Sequence, residues 1–230
     1  MPVTIVERAL ELVPSQAVIG LGSGRAAWSF VRLLGQRVRS GAANAVGVAT
    51  SNATAGIAAE AGVPLTTLAE SGGLALTVDG ADEVDPDLNL IKGYGRALVR
   101  EKIVAAMSRR LVILAGEEKL VAKLGSRGRL PIEIVPFALP LVERVMRDRG
   151  WKSTLDVRAG GPFVTDNGNW IVDCAIGALD DPARVDAELR AIPGVVGTGL
   201  FLGMADVVLV GTGPEFQLRD EICRASRRDM

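Results

Sequence analysis

The stretch AVIGLGSGRAAWSFVRLLGQRV (17–38) sets the architecture. Residues 17–22 are apolar or glycine and read as a buried strand, while 26–38 carry apolar side chains at helical spacing. Between them GLGSGRAA (20–27) is a glycine loop that ends the strand and opens the helix. Glycines there free backbone N–H groups to face an anion, and the start of a helix adds a favourable dipole. The spacing is not that of a dinucleotide fingerprint. Gly20, Gly22 and Gly24 give G-x-G-x-G, and Arg25 stands where a helix-packing glycine is expected. No Asp or Glu occurs between Glu11 and Glu60 to hold a ribose. No Gly-Lys-Ser/Thr follows, so it is not a Walker loop either. A phosphate or carboxylate cradle is the leading reading, a plain tight turn the second and a dinucleotide site the third. The planar fork of Arg25 suits an anion, although on its own a surface arginine is the simpler account.

Outward from this unit the same alternation continues. Residues 45–50, 74–79 and 111–116 read as strands. Residues 51–62 read as a helix capped by Ser51 and closed by Gly62, and 97–108 as another helix. Alternating strands and helices imply a parallel sheet covered on both faces. From about residue 130 the order changes. Strands are expected at 132–136, 153–158, 170–175 and 194–201, with helices at 138–150 and 182–192 and a turn at 165–169. That βαββαβ order is the split βαβ of ferredoxin-like domains. Residues 205–213 form one more apolar run, with no long linker before it, and are expected to return to the first sheet. The fold class predicted is therefore α/β: a Rossmann-like parallel-sheet domain (1–129 plus 203–230) with an inserted ferredoxin-like α+β domain (130–202).

Composition narrows the chemistry. The chain has 230 residues, 48% of them hydrophobic, enough for a sizeable core. The net charge is −1 without a basic block, so neither nucleic acid nor a membrane surface is indicated as a partner. The short basic end, RASRRDM (224–230), reads as a solvated helix end. No leader pattern follows Met1 and Pro2, and no apolar run is long enough to span a bilayer, which makes the cytoplasm the expected compartment. Cys174 and Cys223 show no metal-ligand spacing and read as small buried side chains. The chain contains no histidine, so acid–base work must fall to carboxylates, Lys, Tyr or Cys.

The charges gather in VDGADEVDPDLNLIKGYGRALVREK (78–102). Asp79 closes an apolar strand, and ligands bind at the carboxyl ends of strands in open α/β sheets. Asp79 and Asp82 are separated by Gly80 and Ala81, too small to block a ligand. Asp85 and Asp87 flank Pro86 and read as a solvated turn. Lys92 is followed by Gly93, Tyr94 and Gly95, whose glycines let backbone N–H groups turn toward a ligand. Glu101 has Ala97 and Ala105 one turn away on either side, with Leu98 and Val104 flanking that face. Partial desolvation there would raise its pKa toward the range of a general base; an exposed glutamate balanced by Arg100 and Lys102 is an equal reading.

The blocks DGADEVD, LNLIKG-G-AL-REKIVA, LPIEIVPFA, VTDNGN and IPGVVGTGLF stand in one order along the chain. In these the chain resembles the ribose-5-phosphate isomerases of type A over nearly its full length. The resemblance implies a Rossmann-like domain with a ferredoxin-like insertion. It also implies interconversion of ribose 5-phosphate and ribulose 5-phosphate without cofactor or metal, in a homodimer or homotetramer. It places the proton-transferring glutamate on Glu101, with Asp79, Asp82 and Lys92 as the other catalytic residues. Substrate contacts fall on Ser23, Gly24, Arg25, Ala26, Gly80, Ala81, Gly93, Tyr94, Gly95 and Lys119. The chain departs from the pattern in five places. Arg25 and Ala26 replace two hydroxyl residues, Tyr94 fills a glycine position, and Arg96 a small one. Pro2 stands where the family often has a lysine. These departures keep two alternatives in view: an isomerase of a different sugar phosphate, and a non-catalytic sugar-phosphate-binding protein on the same fold.

Overall fold

Strands of the first half are apolar on both faces, and that decides the layering. The computed structural model describes residues 3–213 and 216–224. The elements in chain order are α1 (Ile5–Glu11), β1 (Ala17–Leu21), α2 (Arg25–Arg39), β2 (Ala45–Ala49), α3 (Asn52–Ala61), β3 (Leu76–Gly80), β4 (Glu83–Val84), β5 (Leu90–Ile91), α4 (Leu98–Ala106) and β6 (Leu111–Gly116). After a 3-10 turn (Glu117–Lys119) come β7 (Leu130–Ile134), α5 (Leu139–Asp148), β8 (Lys152–Leu155), β9 (Val157–Arg158), β10 (Gly161–Pro162), β11 (Trp170–Ala175), α6 (Pro182–Arg190), β12 (Val195–Thr198), β13 (Leu200–Phe201), β14 (Val207–Thr212) and β15 (Gln217–Cys223).

The main sheet has the order β15-β14-β6-β3-β1-β2, all neighbours parallel except the β14–β15 pair. Every residue of β6 is buried, as a sandwiched strand requires. α2 buries Ala27, Phe30, Val31, Leu34 and Gly35, one stripe at i, i+3, i+4, i+7 and i+8, against this sheet's core. Truncating Leu34 to Ala there would cost about 2–5 kcal/mol. α3 begins at Ser51, whose hydroxyl accepts from Thr54 N at 3.1 Å, and ends at Gly62 with φ 77°. β14 does return to the main sheet, pairing with β6 in parallel. The chain order leaves β1 toward β2 on one side and β3 on the other. The carboxyl ends of β1 and β3 therefore flank the point where such sheets bind ligands.

A second sheet, β12-β7-β11-β8, is antiparallel throughout and is backed by α5 and α6 through an apolar cluster that includes Val142, Met146, Val185 and Leu189. This is the ferredoxin-like order read from the sequence. Among the described residues no helix is long and apolar enough to cross a membrane.

Several expectations give way. Residues 194–201 are not one strand. Gly199 separates β12, in the second sheet, from β13, which pairs with β5 in a three-stranded sheet with β4. The break is enforced by contact: a Cβ on Gly199 would sit 2.3 Å from the Lys92 carbonyl oxygen, and Lys92 N donates to Gly199 O at 2.9 Å. Residues 79–97 do not pass directly from strand to helix but fold the β4–β5 pair first. Residues 153–158 divide at Asp156 into β8 and β9, the latter pairing with β10. α1 and β15 carry too short or too mixed a pattern to be read. The reading of 224–230 as a helix end is corrected as far as Arg224, which follows a strand and donates to Ala205 O at 2.8 Å and Leu88 O at 3.0 Å. Residues 225–230 and Pro2 lie outside the described residues. Cys174 is buried, which pushes its thiol up to about 12. Cys223 is exposed on the edge strand, against expectation.

Candidate active site

The glycine loop, the end of β3, the 92–95 turn and α4 meet in one cleft of about 270 Å³. That volume suits a small metabolite and is too small for a dinucleotide. Local geometry makes the convergence possible. A Cβ on Gly22 would lie 2.2 Å from Asp79 Oδ1, so only glycine lets β1 close on the aspartate. Gly24, at φ 99°, turns the chain into α2. Asp79 Oδ1 then accepts from Ser23 N at 3.1 Å and Gly80 N at 2.7 Å.

Lys92 is the centre of the cluster. Its Nζ lies 3.0 Å from Asp79 Oδ2 and 3.3 Å from Glu101 Oε2, and donates to Gly80 O at 2.6 Å. All three charged side chains are at most 3% exposed. Burial works against the Lys92 charge, but Asp79 and Glu101 more than restore it, and its pKa lies above the ordinary lysine value. For Glu101 the balance is the reverse. Burial pushes its carboxyl up to about 8, Lys92 pulls it back, and Asp79 and Asp82 add to the rise. The 3.3 Å distance suggests an ion pair, yet Oε2 has no aligned hydrogen bond. Both facts follow from two carboxylates sharing one lysine: Asp79 takes the short contacts, and Glu101 bears the uncompensated cost of burial. Its neighbours Ala97, Leu98, Val104 and Ala105 are all buried, so of the two readings of Glu101 the desolvated one describes its surroundings.

Asp82 stands across the cleft, accepting from Tyr94 N at 3.0 Å, with burial raising its pKa against that hydrogen bond and Lys92. Gly24, Arg25, Ala26, Gly80, Ala81, Gly93, Gly95 and Lys119 line the cleft with it. Ser23 lines it too, but its hydroxyl is turned into a cluster with Thr50, Ser51 and Thr54 at 2.9, 2.8 and 3.0 Å. Arg25 is exposed on the rim. Asp85 behaves as a turn residue, accepting from the backbone N–H groups of Asp87 and Asn89.

Tyr94 is not among the lining residues. Its hydroxyl donates to Arg129 O at 3.2 Å, and the Arg129 guanidinium lies 4.0 Å from its ring centroid. Arg96 points the same way and forks onto Asp173 with two bonds of 2.7 Å, while its Nε reaches Asp156 at 3.0 Å. Two of the five departures therefore face the second sheet rather than the ligand. Sequence reasoning missed Phe216, Glu118 and residues 114–116 on the cleft wall. The last of these were within reach, because they are the carboxyl end of a strand beside β3. Phe216 carried no local signal.

A parallel α/β sheet, a desolvated carboxylate beside a lysine, and a small cleft opening onto a helix N-terminus define a class: a Rossmann-like enzyme equipped for acid–base chemistry on a small anion. The family model for ribose 5-phosphate isomerase A (phosphoriboisomerase A) matches residues 46–214. The chain is 48% identical to ribose-5-phosphate isomerase A of Roseiflexus castenholzii, covering 96% of this chain and 95% of that one. It is 50% identical to that of Nitrobacter hamburgensis, over 88% and 90%. Among solved structures, a D-ribose-5-phosphate isomerase in complex with phospho-erythronic acid superposes with a TM-score of 0.90 at 37% identity, covering 95% of this chain and 96% of that one. Ribose 5-phosphate isomerase A from Methanocaldococcus jannaschii gives 0.88 at 36%, over 96% of each. The chain belongs to the ribose 5-phosphate isomerase A family.

Proposed function

We propose that this chain interconverts ribose 5-phosphate and ribulose 5-phosphate through an enediol, with Glu101 as the proton-transferring base. The observation that carries the reading is Glu101 itself, buried on the cleft wall 3.3 Å from Lys92 with its carboxyl raised to about 8. A carboxylate so poised takes the C2 proton of the open-chain aldose, leaving an enediolate with its charge on O1. It returns the proton to C1 on the same face, while the O2 proton passes to O1 and C2 becomes the carbonyl. The developing oxyanion needs a donor. Lys92 is assigned that task because its contact with Glu101 is the longest and least aligned of its three. Asp82, with its raised pKa, handles hydroxyl protons and ring opening. Asp79 fixes the lysine from behind. The glycine loop, Arg25 and Lys119 take the phosphate, binding the substrate far from the reacting carbons. No step calls for a cofactor or metal.

The curated relatives are named for this one reaction at about half identity, which favours it over the two alternatives. The same proposal includes the division into 1–129 plus 203–230 and 130–202, supported by the separate six-stranded and four-stranded sheets, with β13 pairing across the boundary to β5, and a cytoplasmic homodimer or homotetramer. Light scattering on the purified protein tests the last. The function is tested by turnover of ribose 5-phosphate in D2O against a panel of pentose and hexose phosphates. Deuterium at C1 of the ketose is expected; a hydride shift would leave C1 unlabelled, and preference for another sugar would sink the assignment.

A further inference from the structure

The rim of the cleft holds a contact that the reaction does not explain. Arg25 opens α2, and its guanidinium carbon lies 5.1 Å from the centroid of the Phe216 ring. Among the described residues the Arg25 side chain makes this contact and no hydrogen bond or ion pair. Phe216 comes from the far end of the chain, at the turn between β14 and β15, and lines the same cleft as Glu101 and Lys92. Its backbone is unusual: φ is +52°, a region that bulky side chains rarely occupy. The surroundings hold it there. Phe216 N donates to Gly213 O at 3.2 Å, and its carbonyl accepts from Ile5 N at 3.0 Å. Gly211 makes the room, since a Cβ there would stand 3.0 Å from Phe216 Cβ. A strained aromatic held on a cleft wall invites a functional account.

We propose that Phe216 is a positioning residue for Arg25, a flat rest that holds the guanidinium edge-on to the phosphate of the substrate. A ring covering one face of the guanidinium leaves the five in-plane N–H donors free to fork onto a phosphate. Arg25 and Ala26 stand where the family resemblance leads one to expect hydroxyls. The Ala26 side chain has nothing to donate, and the Ser23 hydroxyl is engaged elsewhere. Glu118 and Lys119 share one turn on the cleft wall and carry opposite charges, so Arg25 supplies the net positive charge. This rests on the proposed function, in which the substrate is a sugar phosphate. It adds that anchoring has passed from hydroxyls to a guanidinium whose aim is set by an aromatic ring.

The test uses the full chain and Phe216→Leu, Phe216→Tyr and Arg25→Lys. Two readouts are taken: KM and kcat for ribose 5-phosphate, and the Kd of inorganic phosphate by calorimetry. Phe216→Leu is expected to raise both KM and the phosphate Kd about two- to five-fold, the usual cation–π range converted at 1.36 kcal/mol per tenfold, with kcat unchanged. Phe216→Tyr keeps the ring and the wild-type values. Arg25→Lys, at an exposed site with no folding risk, keeps the charge but loses the fork, and weakens phosphate binding by at least as much. In the Arg25→Lys background Phe216→Leu adds nothing. An unchanged phosphate Kd in Phe216→Leu, a wild type that binds no phosphate, or an equal further loss in the double variant overturns the proposal. A wild type that binds phosphate without turning over ribose 5-phosphate refutes the catalytic reading and leaves this one standing.

Discussion

Glu101→Gln separates chemistry from folding. The amide fills the same space and cannot accept a proton. Lys92 keeps Asp79 at 3.0 Å and Gly80 O at 2.6 Å, so no bare charge is left in the wall. Turnover of ribose 5-phosphate should fall by about 10²–10⁴-fold, the usual contribution of a positioned acid–base group. Stability should move the other way. The folded carboxyl holds its proton up to about 8, whereas an ordinary glutamate releases it near 4.5. Between those pH values the unfolded chain binds fewer protons than the folded one, so wild-type stability declines as pH rises through the window. That gap, at 1.36 kcal/mol per pH unit, sets a ceiling of about 5 kcal/mol. Removing Glu101 also removes its support of the Lys92 charge, which lowers the net gain to about 1–3 kcal/mol, or roughly 2–10 °C in Tm for a chain of this size. The variant and wild type should melt together at pH 4 and diverge by pH 8, with the variant higher. Thermal melts across that range and a coupled turnover assay read both effects. Turnover within tenfold of wild type, in a variant that melts cooperatively, would refute the assignment of Glu101.

Three further outcomes follow from the geometry. In the aldose-to-ketose direction kcat/KM should rise with pH and level off above about 8, as Glu101 loses its proton; a pH–rate profile already flat by pH 6 contradicts this. Arg96→Ala leaves Asp173 and Asp156 only their longer 3.4 Å contacts with Arg129 and Arg158 and should cost about 1–3 kcal/mol of stability, visible as a lowered urea midpoint, whereas an unchanged midpoint would reduce the fork to decoration. Thr54→Val breaks the hydroxyl cluster and takes the acceptor from Trp28 Nε1, bonded at 2.9 Å. About 1–3 kcal/mol should be lost with the KM for ribose 5-phosphate unchanged, and a KM effect larger than the stability effect would place that cluster in contact with substrate.

The fold was legible where period and length agreed. α2 and β6 carry one pattern each and nothing that competes with it, and Ser51 and Gly62 bracket α3 with side-chain and backbone chemistry that acts locally. Legibility ended where the decisive contact is distant. Nothing near Gly199 says that a strand must stop there; the reason is the carbonyl of a lysine 107 positions earlier. In the site, the acidic and glycine-rich segments announced themselves by composition. The burial of Glu101 did not, because helical spacing gives its flanking faces and not which of them meets the sheet. Tyr94 looked like a ligand contact since it sits inside the glycine turn, yet its ring follows Arg129. Phe216 became visible only when the chain's last hairpin was folded back beside its first helix.

Gly199 also bears on how the cleft can be entered. With the main chain of Lys92 pressed into the crossing from β12 to β13, a clamshell motion of the two sheets would drag the ammonium away from Asp79. Entry that required the two sheets to part would therefore break the Lys92–Asp79 contact. Grafting a different small unit onto this scaffold would keep Lys92 in place only if the graft preserved that bare position in the chain.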